Sequence, residues 1–247
     1  MRAPTDTIVA PLFPTGLPWV NVAGKQASII QRGKPMLVEF WDFCRPNSLR
    51  TLPYLQAWHA RYADEGLRTI GVHCPGFEPA REEGAVRDAV ARLGIEYPVL
   101  IDRELEVWRE YDNQGWPARY LFDGRARLFE YHYGEGGYAE TELAIQELLG
   151  VEREPLAPLR PEDAPAAKLL PQTEDQPGAY SGPYEAGGVW AVLDGAGTVR
   201  VNGAELTVSH TGAYPLIEHE RHTVGIIEFE PGGDVRCMAT CFTPGLA

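Results

Sequence analysis

Hydrophobic positions in the first 150 residues alternate between strand-like and helix-like spacing. Short apolar runs at residues 36–41, 69–73 and 98–102 predict buried strands. Segments 49–63 and 86–93 repeat apolar residues every three or four positions, which predicts amphipathic helices. Strands that alternate with helices are typical of an α/β sheet with right-handed crossovers.

The end of this region predicts an antiparallel hairpin and a closing helix. Segments 118–123 and 126–132 have strand character and flank Asp123-Gly124, a dipeptide typical of hairpin turns. Residues 139–149 then predict a helix that ends at a glycine. We therefore expect one mixed sheet with its hairpin at one side.

The character of the sequence changes after residue 150. Residues 155–183 contain seven prolines and show no periodicity, which predicts a linker or an extended strap. Six β-like segments separated by glycine-containing turns then predict a small antiparallel sandwich or barrel. These segments are 188–193, 198–201, 205–208, 213–217, 223–229 and 234–242. The predicted organisation is an α/β domain at 1–150, a proline-rich linker at 151–184 and a β-sandwich at 185–247.

Composition and charge argue against two kinds of partner for this chain. Hydrophobic residues make up 44% and charged residues 23%, as in globular proteins. The net charge of −13 repels phosphate backbones and anionic lipid, so we expect neither a nucleic-acid nor a membrane partner. Residues 1–16 lack the apolar core of a secretory signal, and no run of about 18 apolar residues occurs. We expect a cytoplasmic protein.

The cysteine content points to free thiols. The chain has four cysteines: Cys44, Cys74, Cys237 and Cys241. Four are too few for a disulfide scaffold, and their spacing matches no zinc pattern, so we expect no metal and no cofactor. Cys237 and Cys241 share one face of a predicted strand with Ala239, which predicts core thiols.

A series of motifs between residues 17 and 150 resembles a known family. A buried strand meets the start of a helix in residues 37–48, LVEFWDFCRPNS, and further matching segments lie at 49–54, 70–73, 116–121 and 134–138. These motifs resemble thioredoxin-fold proteins of the redoxin or TlpA-like group, especially the thioredoxin-like part of DipZ-type thiol–disulfide interchange proteins. The resemblance implies a thioredoxin fold, a cis peptide bond at Trp116–Pro117, and a thiol oxidoreductase or antioxidant function.

The chain departs from that family at the redox motif. The family pattern is F-W-x-x-x-C-x-x-C, but Arg45 and Ser48 stand at the two cysteine positions, and Arg45-Pro46-Asn47-Ser48 replaces C-x-x-C. Dithiol exchange needs a thiolate at the helix start and a resolving thiol three residues later. We expect no ordinary dithiol–disulfide exchange, and any residual thiol chemistry rests on Cys44.

Three interpretations of Cys44 remain open. It could act as a lone nucleophile through sulfenic acid, because the helix dipole and Arg45 both favour thiolate. It could pair with Cys74, because the strands that precede them are expected to be neighbours, with the sulfurs within about 10 Å. It could also be a small buried residue without chemistry.

Other side chains define a candidate groove. The resemblance places Trp41, Pro46, His73, Trp116 and Pro117 around it. His73 is either a base or a structural histidine, and the tryptophans form either an aromatic floor or core packing. The alternative function is a redox-inactive binding module that uses the cis-proline groove for a peptide or small ligand. A thiol oxidoreductase would instead have a thiol or disulfide protein or peptide as its partner.

The β region offers weaker candidates. His210, His219 and His222 are expected to be loop histidines, since no carboxylate or cysteine is placed to complete a metal site. Residues 189–193 and 197–201 resemble, weakly, the carbohydrate-binding-module-like sandwich of DipZ-type proteins. No exposed aromatic platform can be assigned, so a sugar-binding role does not follow.

Overall fold

The computed structural model describes residues 1–4, 7–22, 31 and 33–247. By its internal contacts the chain divides into two compact units. The first comprises Met1–Asp42, Asn47–Pro75 and Arg81–Ala157, and the second comprises Phe43–Pro46, Gly76–Ala80 and Pro158–Ala247. Two short segments from the predicted α/β domain are therefore grouped with the C-terminal part of the chain.

The first unit contains a six-stranded mixed sheet. Its strands are β1 (Trp19–Val20), β2 (Met36–Trp41), β3 (Arg68–His73), β4 (Val99–Ile101), β5 (Ala118–Phe122) and β6 (Leu128–Tyr133). Their order in the sheet is β1-β4-β3-β2-β5-β6. Strand β2 pairs in parallel with β3 and antiparallel with β5, so the apolar run at residues 36–41 forms a central strand, as the sequence predicts.

Among the residues that the structure describes, four helices accompany this sheet. They are α1 (Pro46–Tyr62), α2 (Glu83–Arg92), α3 (Glu106–Glu110) and α4 (Tyr138–Leu149). Helix α1 begins three residues before the predicted start, because a proline at the first helical position needs no hydrogen-bond partner for a backbone N–H. Among the described residues, no helix is both long and apolar enough to span a membrane.

Strand β2 is buried on both of its faces. A sheet covered on both sides produces a nearly continuous apolar strand, which explains why the sequence shows no alternation there. On one face, the ring of Phe40 meets the rings of Trp108, Tyr111 and Tyr120 edge-on at centroid distances of 6.1, 5.3 and 5.6 Å. The other face carries Glu39, a charged residue inside the core.

The second unit is built from strands. They are β7 (Leu169–Leu170), β8 (Gln176–Pro177), β9 (Gly182–Asp194), β10 (Gly197–Val201), β11 (Ala204–Val208), β12 (Gly212–Ile227), β13 (Phe229–Pro231), β14 (Arg236–Thr243) and β15 (Gly245–Leu246). They form three antiparallel sheets, ordered β12-β9-β14-β8, β11-β10-β13 and β15-β7. Short 3₁₀ helices lie at Glu78–Arg81 and Pro161–Asp163.

The structure differs from the predicted elements in two places. The predicted strands 213–217 and 223–229 are one long strand, β12, followed by β13, because register shifts beside Pro215 and after Glu218 let the pairing continue. The predicted linker 151–184 contains a 3₁₀ helix, β7, β8 and the start of β9. Strands of two residues leave no periodicity to detect. The division into residues 1–150, 151–184 and 185–247 stays a prediction.

Two predictions about the β region are wrong. The sequence predicts that Cys237, Ala239 and Cys241 share one face of a strand. Instead, a bulge separates Cys237, which pairs with Leu193, from Ala239, which pairs with Val192. Adjacent strand residues face opposite ways, so Cys237 lies on the other face from Ala239 and Cys241. His219 and His222 lie within β12 rather than in loops.

Candidate functional site

The candidate site lies where β2 ends and α1 begins. Residues 42–45 connect the two elements and carry Cys44 and Arg45. Strand β3 runs beside β2 with Trp41 opposite His73, and the N–H of Cys74 donates to the carbonyl of Trp41 at 3.0 Å. Cys74 therefore follows the end of β3 at the carboxyl edge of the sheet, as expected.

Cys74 is a fully buried hydrogen-bond donor. Its Sγ lies 3.4 Å from Oδ2 of Asp102. Burial, followed by the Asp102 charge, raises the pKa of the Cys74 thiol well above its usual range. The Asp102 carboxylate also accepts the N–H groups of Glu106 and Trp108 in α3, at 2.7 and 2.8 Å. Cys74 is therefore protonated at neutral pH and is a poor nucleophile.

Cys44 is also fully buried, and none of the four cysteines forms a disulfide. The loop segment Phe43–Pro46 belongs to the second unit, where the N–H of Ala213 donates to the carbonyl of Phe43 at 3.2 Å. Cys74 belongs to the first unit. The predicted proximity of the Cys44 and Cys74 sulfurs stays a prediction.

Arg45 and Ser48, which we expect at the two family cysteine positions, both have structural contacts. The guanidinium carbon of Arg45 lies 4.8 Å from the centroid of the Phe77 ring, which is a cation–π arrangement. Ser48 is fully buried, and its Oγ accepts the backbone N–H of Asp42 at 3.2 Å. Ser48 thereby joins the first turn of α1 to the end of β2.

A buried histidine–carboxylate pair lies beside this turn. Nε2 of His73 is 3.6 Å from Oδ1 of Asp42, and neither side chain reaches solvent. The Trp41 ring meets the His73 ring edge-on at 5.1 Å. This burial favours the structural interpretation of His73, because a base that acts on a substrate must reach it.

The predicted groove is largely closed. The Trp116–Pro117 peptide bond is cis, as the resemblance implies. Trp41, Pro46, His73 and Pro117 are buried, and only Trp116 is partly exposed. The indole N–H of Trp116 donates to the carbonyl of Cys74 at 2.8 Å, and its ring centroid is 4.2 Å from that of Trp108.

Comparison with known proteins identifies the fold around this site. No family model matches the chain. Protein DipZ of Mycobacterium tuberculosis is 35% identical over 163 residues, which are 63% of this chain and 24% of DipZ. Thiol-disulfide oxidoreductase YkuV of Bacillus subtilis is 24% identical over 131 residues, which are 53% of this chain and 87% of YkuV. The chain has a thioredoxin-like fold.

A solved structure supports the same fold. A thiol-disulfide isomerase from Corynebacterium glutamicum superposes with a TM-score of 0.51 at 23% identity, covering 58% of this thioredoxin-like chain and 98% of the isomerase. The resemblance stated from the sequence is thus confirmed. The chain spans about a quarter of the length of DipZ, so the similarity concerns only a part of that larger protein.

Sequence reasoning missed the carboxylates of this thioredoxin-like site. Asp42 and Asp102 contact His73 and Cys74, and Glu39 on β2 stands opposite Arg119 on β5. Burial raises the pKa of Glu39 to about 8, while the Arg119 charge acts in the opposite direction. Glu39 could have been noticed in the sequence, because it is a charged residue inside the apolar run at 36–41. No comparable signal marks Asp42 or Asp102, because their partners are distant in sequence.

Proposed function

We propose that this thioredoxin-like chain is a redoxin-family thiol oxidoreductase of the antioxidant type that works through one thiol, Cys44. The observation that carries the proposal is the position of Cys44, in the loop between the central strand β2 and α1 of a fold shared with thiol–disulfide oxidoreductases. Reactive cysteines are found beside helix N-termini, and Cys44 stands two residues before the first residue of α1.

The proposed reaction is a single thiol–disulfide exchange cycle. The Cys44 thiolate attacks one sulfur of a disulfide in a protein or peptide partner, forms a mixed disulfide, and releases the other partner sulfur as a thiolate. A low-molecular-weight thiol then attacks the mixed disulfide. This second step returns Cys44 as a thiolate and leaves the small thiol bonded to the partner, so sulfur atoms and electrons balance.

The buried position of Cys44 requires its loop to open before it reacts. Loops open at lower free energy than the core strands of a sheet. Cys44 lies in such a loop, whereas Cys241 lies inside β14 and Cys74 continues the pairing of β3 with β2. Among the three buried thiols, Cys44 is therefore the one most suited to transient exposure, while Cys237 is already partly exposed.

The second candidate function is a redox-inactive binding module for a peptide or small ligand. It is favoured by the complete burial of Cys44 and Cys74 and by the raised pKa of the Cys74 thiol. Under this proposal, Arg45 and Ser48 have only the structural roles that their contacts with Phe77 and Asp42 describe.

One experiment separates the two functions. The native chain is incubated with glutathione disulfide, and its intact mass is measured together with those of Cys44→Ser and the matched control Cys74→Ser. The oxidoreductase proposal expects one mixed disulfide, lost in Cys44→Ser and retained in Cys74→Ser. The binding module expects no adduct on the native chain, although the denatured chain reacts, and this result would overturn the first proposal.

We also propose that residues 185–247 form one antiparallel sandwich after the linker 151–184. The support is a shared apolar core. Val189, Ala191 and Leu193 of β9 belong to the same buried cluster as Val199 of β10 and Phe229 of β13, which lie in a different sheet. Two sheets that bury their apolar faces together define a sandwich.

A further inference from the structure

A pocket of about 420 Å³ opens on the first unit, on side chains that the proposed function does not use. Its volume lies within the range of small-molecule sites, about 300–1,000 Å³. Tyr120 and Phe122 of its lining pair with Val38 and Met36 of β2. Because Met36 is the first residue of β2, the pocket lies toward the end of that strand opposite the Cys44 loop.

Aromatic rings dominate the lining. Five contribute: Tyr111, Tyr120, Phe122, Tyr131 and Tyr133. The Tyr131 and Tyr133 centroids are 5.5 Å apart, and Tyr120 meets Tyr133 edge-on at 6.0 Å. The Tyr133 side chain is 44% exposed, so its ring remains accessible from solvent. The faces of such rings carry negative electrostatic potential and attract cations.

Two carboxylates complete the lining. Glu110 ends α3 and Asp112 follows it, and both are exposed. Neither forms an ion pair with a described residue, and no lysine or arginine in the described part of the chain lines the pocket. Burial, followed by neighbouring groups that include Asp112, raises the pKa of Tyr120, so the Asp112 charge reaches the aromatic wall.

We propose that this pocket binds an organic cation, an amine or quaternary ammonium group with apolar substituents. The carboxylates and ring faces attract the positive charge. The exposed side chains of Ile8 and Val9 in the same lining supply contact area for the apolar part. An anion is disfavoured by the two carboxylates, and a neutral ligand gains only from the apolar walls. The site is independent of the proposed thiol chemistry.

The test measures three probes that differ in charge on the full chain by isothermal titration calorimetry. Benzyltrimethylammonium is the cation, benzyl alcohol the neutral probe and benzenesulfonate the anion. We expect the cation to bind at least about fivefold more tightly than benzyl alcohol, with no binding of benzenesulfonate. Equal affinity for the cation and the neutral probe, or no binding of the cation, would overturn the proposal.

Four variants assign the binding to this pocket. Asp112→Asn removes the charge with little change in shape, and Tyr133→Ala removes a ring. Each is expected to weaken cation binding about three- to tenfold. Tyr133→Phe keeps the ring, and Asp64→Asn removes an exposed carboxylate outside the pocket, so both should bind as the unaltered chain does. Binding that is unaffected by Asp112→Asn and Tyr133→Ala contradicts the proposal, and unchanged melting temperatures exclude unfolding as a cause of any loss.

Discussion

Glu39 is a buried residue of the central strand β2 whose protonation depends on its surroundings in the sheet. It stands on the central strand opposite Arg119, and both side chains are buried. Arg119 also donates to the carbonyl of Gly136, and its guanidinium carbon lies 5.1 Å from the Tyr138 ring centroid. With a pKa near 8, Glu39 is mostly protonated in the folded chain at neutral pH. The buried charge at neutral pH is therefore that of Arg119, which the Gly136 carbonyl and the Tyr138 ring face stabilise.

The titration of Glu39 predicts a fall in stability as pH rises. Between about pH 4.5 and 8 the unfolded chain has released the proton that the folded chain retains, so the free energy of unfolding falls by about 1.4 kcal/mol per pH unit. Glu39→Gln cannot titrate and should remove this dependence. At pH 8 the variant is expected to be more stable by several kcal/mol, roughly 4–5 at most, and near pH 4.5 the two proteins should match.

Urea unfolding at a series of pH values measures this effect. The relevant quantity is the difference in unfolding free energy between Glu39→Gln and the unaltered chain, because other titrating groups cancel in it. A difference that stays constant from pH 4.5 to 8 would show that the pKa of Glu39 is not raised in the folded chain.

At the scale of elements, the start of helix α1 supplies the side chains of the candidate site. Its first turn carries Ser48, which binds the N–H of Asp42, and it is preceded by Arg45, which stacks on Phe77. In the family pattern, cysteines at these two positions are three residues apart and form the redox pair. This chain has the strand-to-helix turn, and at the two positions where we expect the family's cysteines it has Arg45, which contacts Phe77, and Ser48, which binds Asp42.

Restoring the pair is expected to create reductase activity. The unaltered chain should not accelerate insulin reduction by dithiothreitol above background, since Arg45 and Ser48 cannot form a disulfide and the buried Cys44 meets an insulin disulfide only in the rare open state of its loop. The double variant Arg45→Cys with Ser48→Cys should accelerate it, because a thiolate at the helix start and a thiol three residues later complete the exchange mechanism. The single variants serve as controls and should stay near background. Activity of the unaltered chain equal to that of a thioredoxin would show that the cysteine positions are assigned one residue out of place.

Local patterns explain which elements could be read from the sequence. The central strand and the helices follow from hydrophobic spacing, and the predicted strand at 118–123 corresponds to β5, Ala118–Phe122. The bulge at Cys237 could not be anticipated, because one extra residue reverses the face without changing the composition of the strand. The bond from Cys74 to Asp102 spans 28 residues, so only the folded topology brings these groups together.

At the scale of the whole molecule, the compact units are not continuous stretches of the chain. The sequence predicts consecutive domains, but segments 43–46 and 76–80 belong to the same compact unit as residues 158–247. Cys44 lies in one of these segments, which accounts for a loop thiol without solvent exposure. The reactivity that we propose for Cys44 would therefore depend on the stability of that unit as well as on its own loop.

The four thiols together predict that stability does not depend on redox conditions. Burial raises the pKa of the Cys74 and Cys241 thiols, and it raises that of Cys237 to about 11, so at neutral pH about one Cys237 thiol in ten thousand is ionised. Closing an internal disulfide also needs a second reactive thiol, and the raised pKa values disfavour a thiolate at Cys74, Cys237 and Cys241. We expect the same melting temperature with reduced dithiothreitol and with oxidised dithiothreitol, which closes disulfides within a chain without leaving a stable adduct on a single thiol. An oxidant-induced rise that persists in Cys237→Ser and Cys241→Ser but vanishes in Cys74→Ser would instead demonstrate a Cys44–Cys74 bond. Closing that loop of roughly 30 residues would stabilise the fold by about 3–4 kcal/mol.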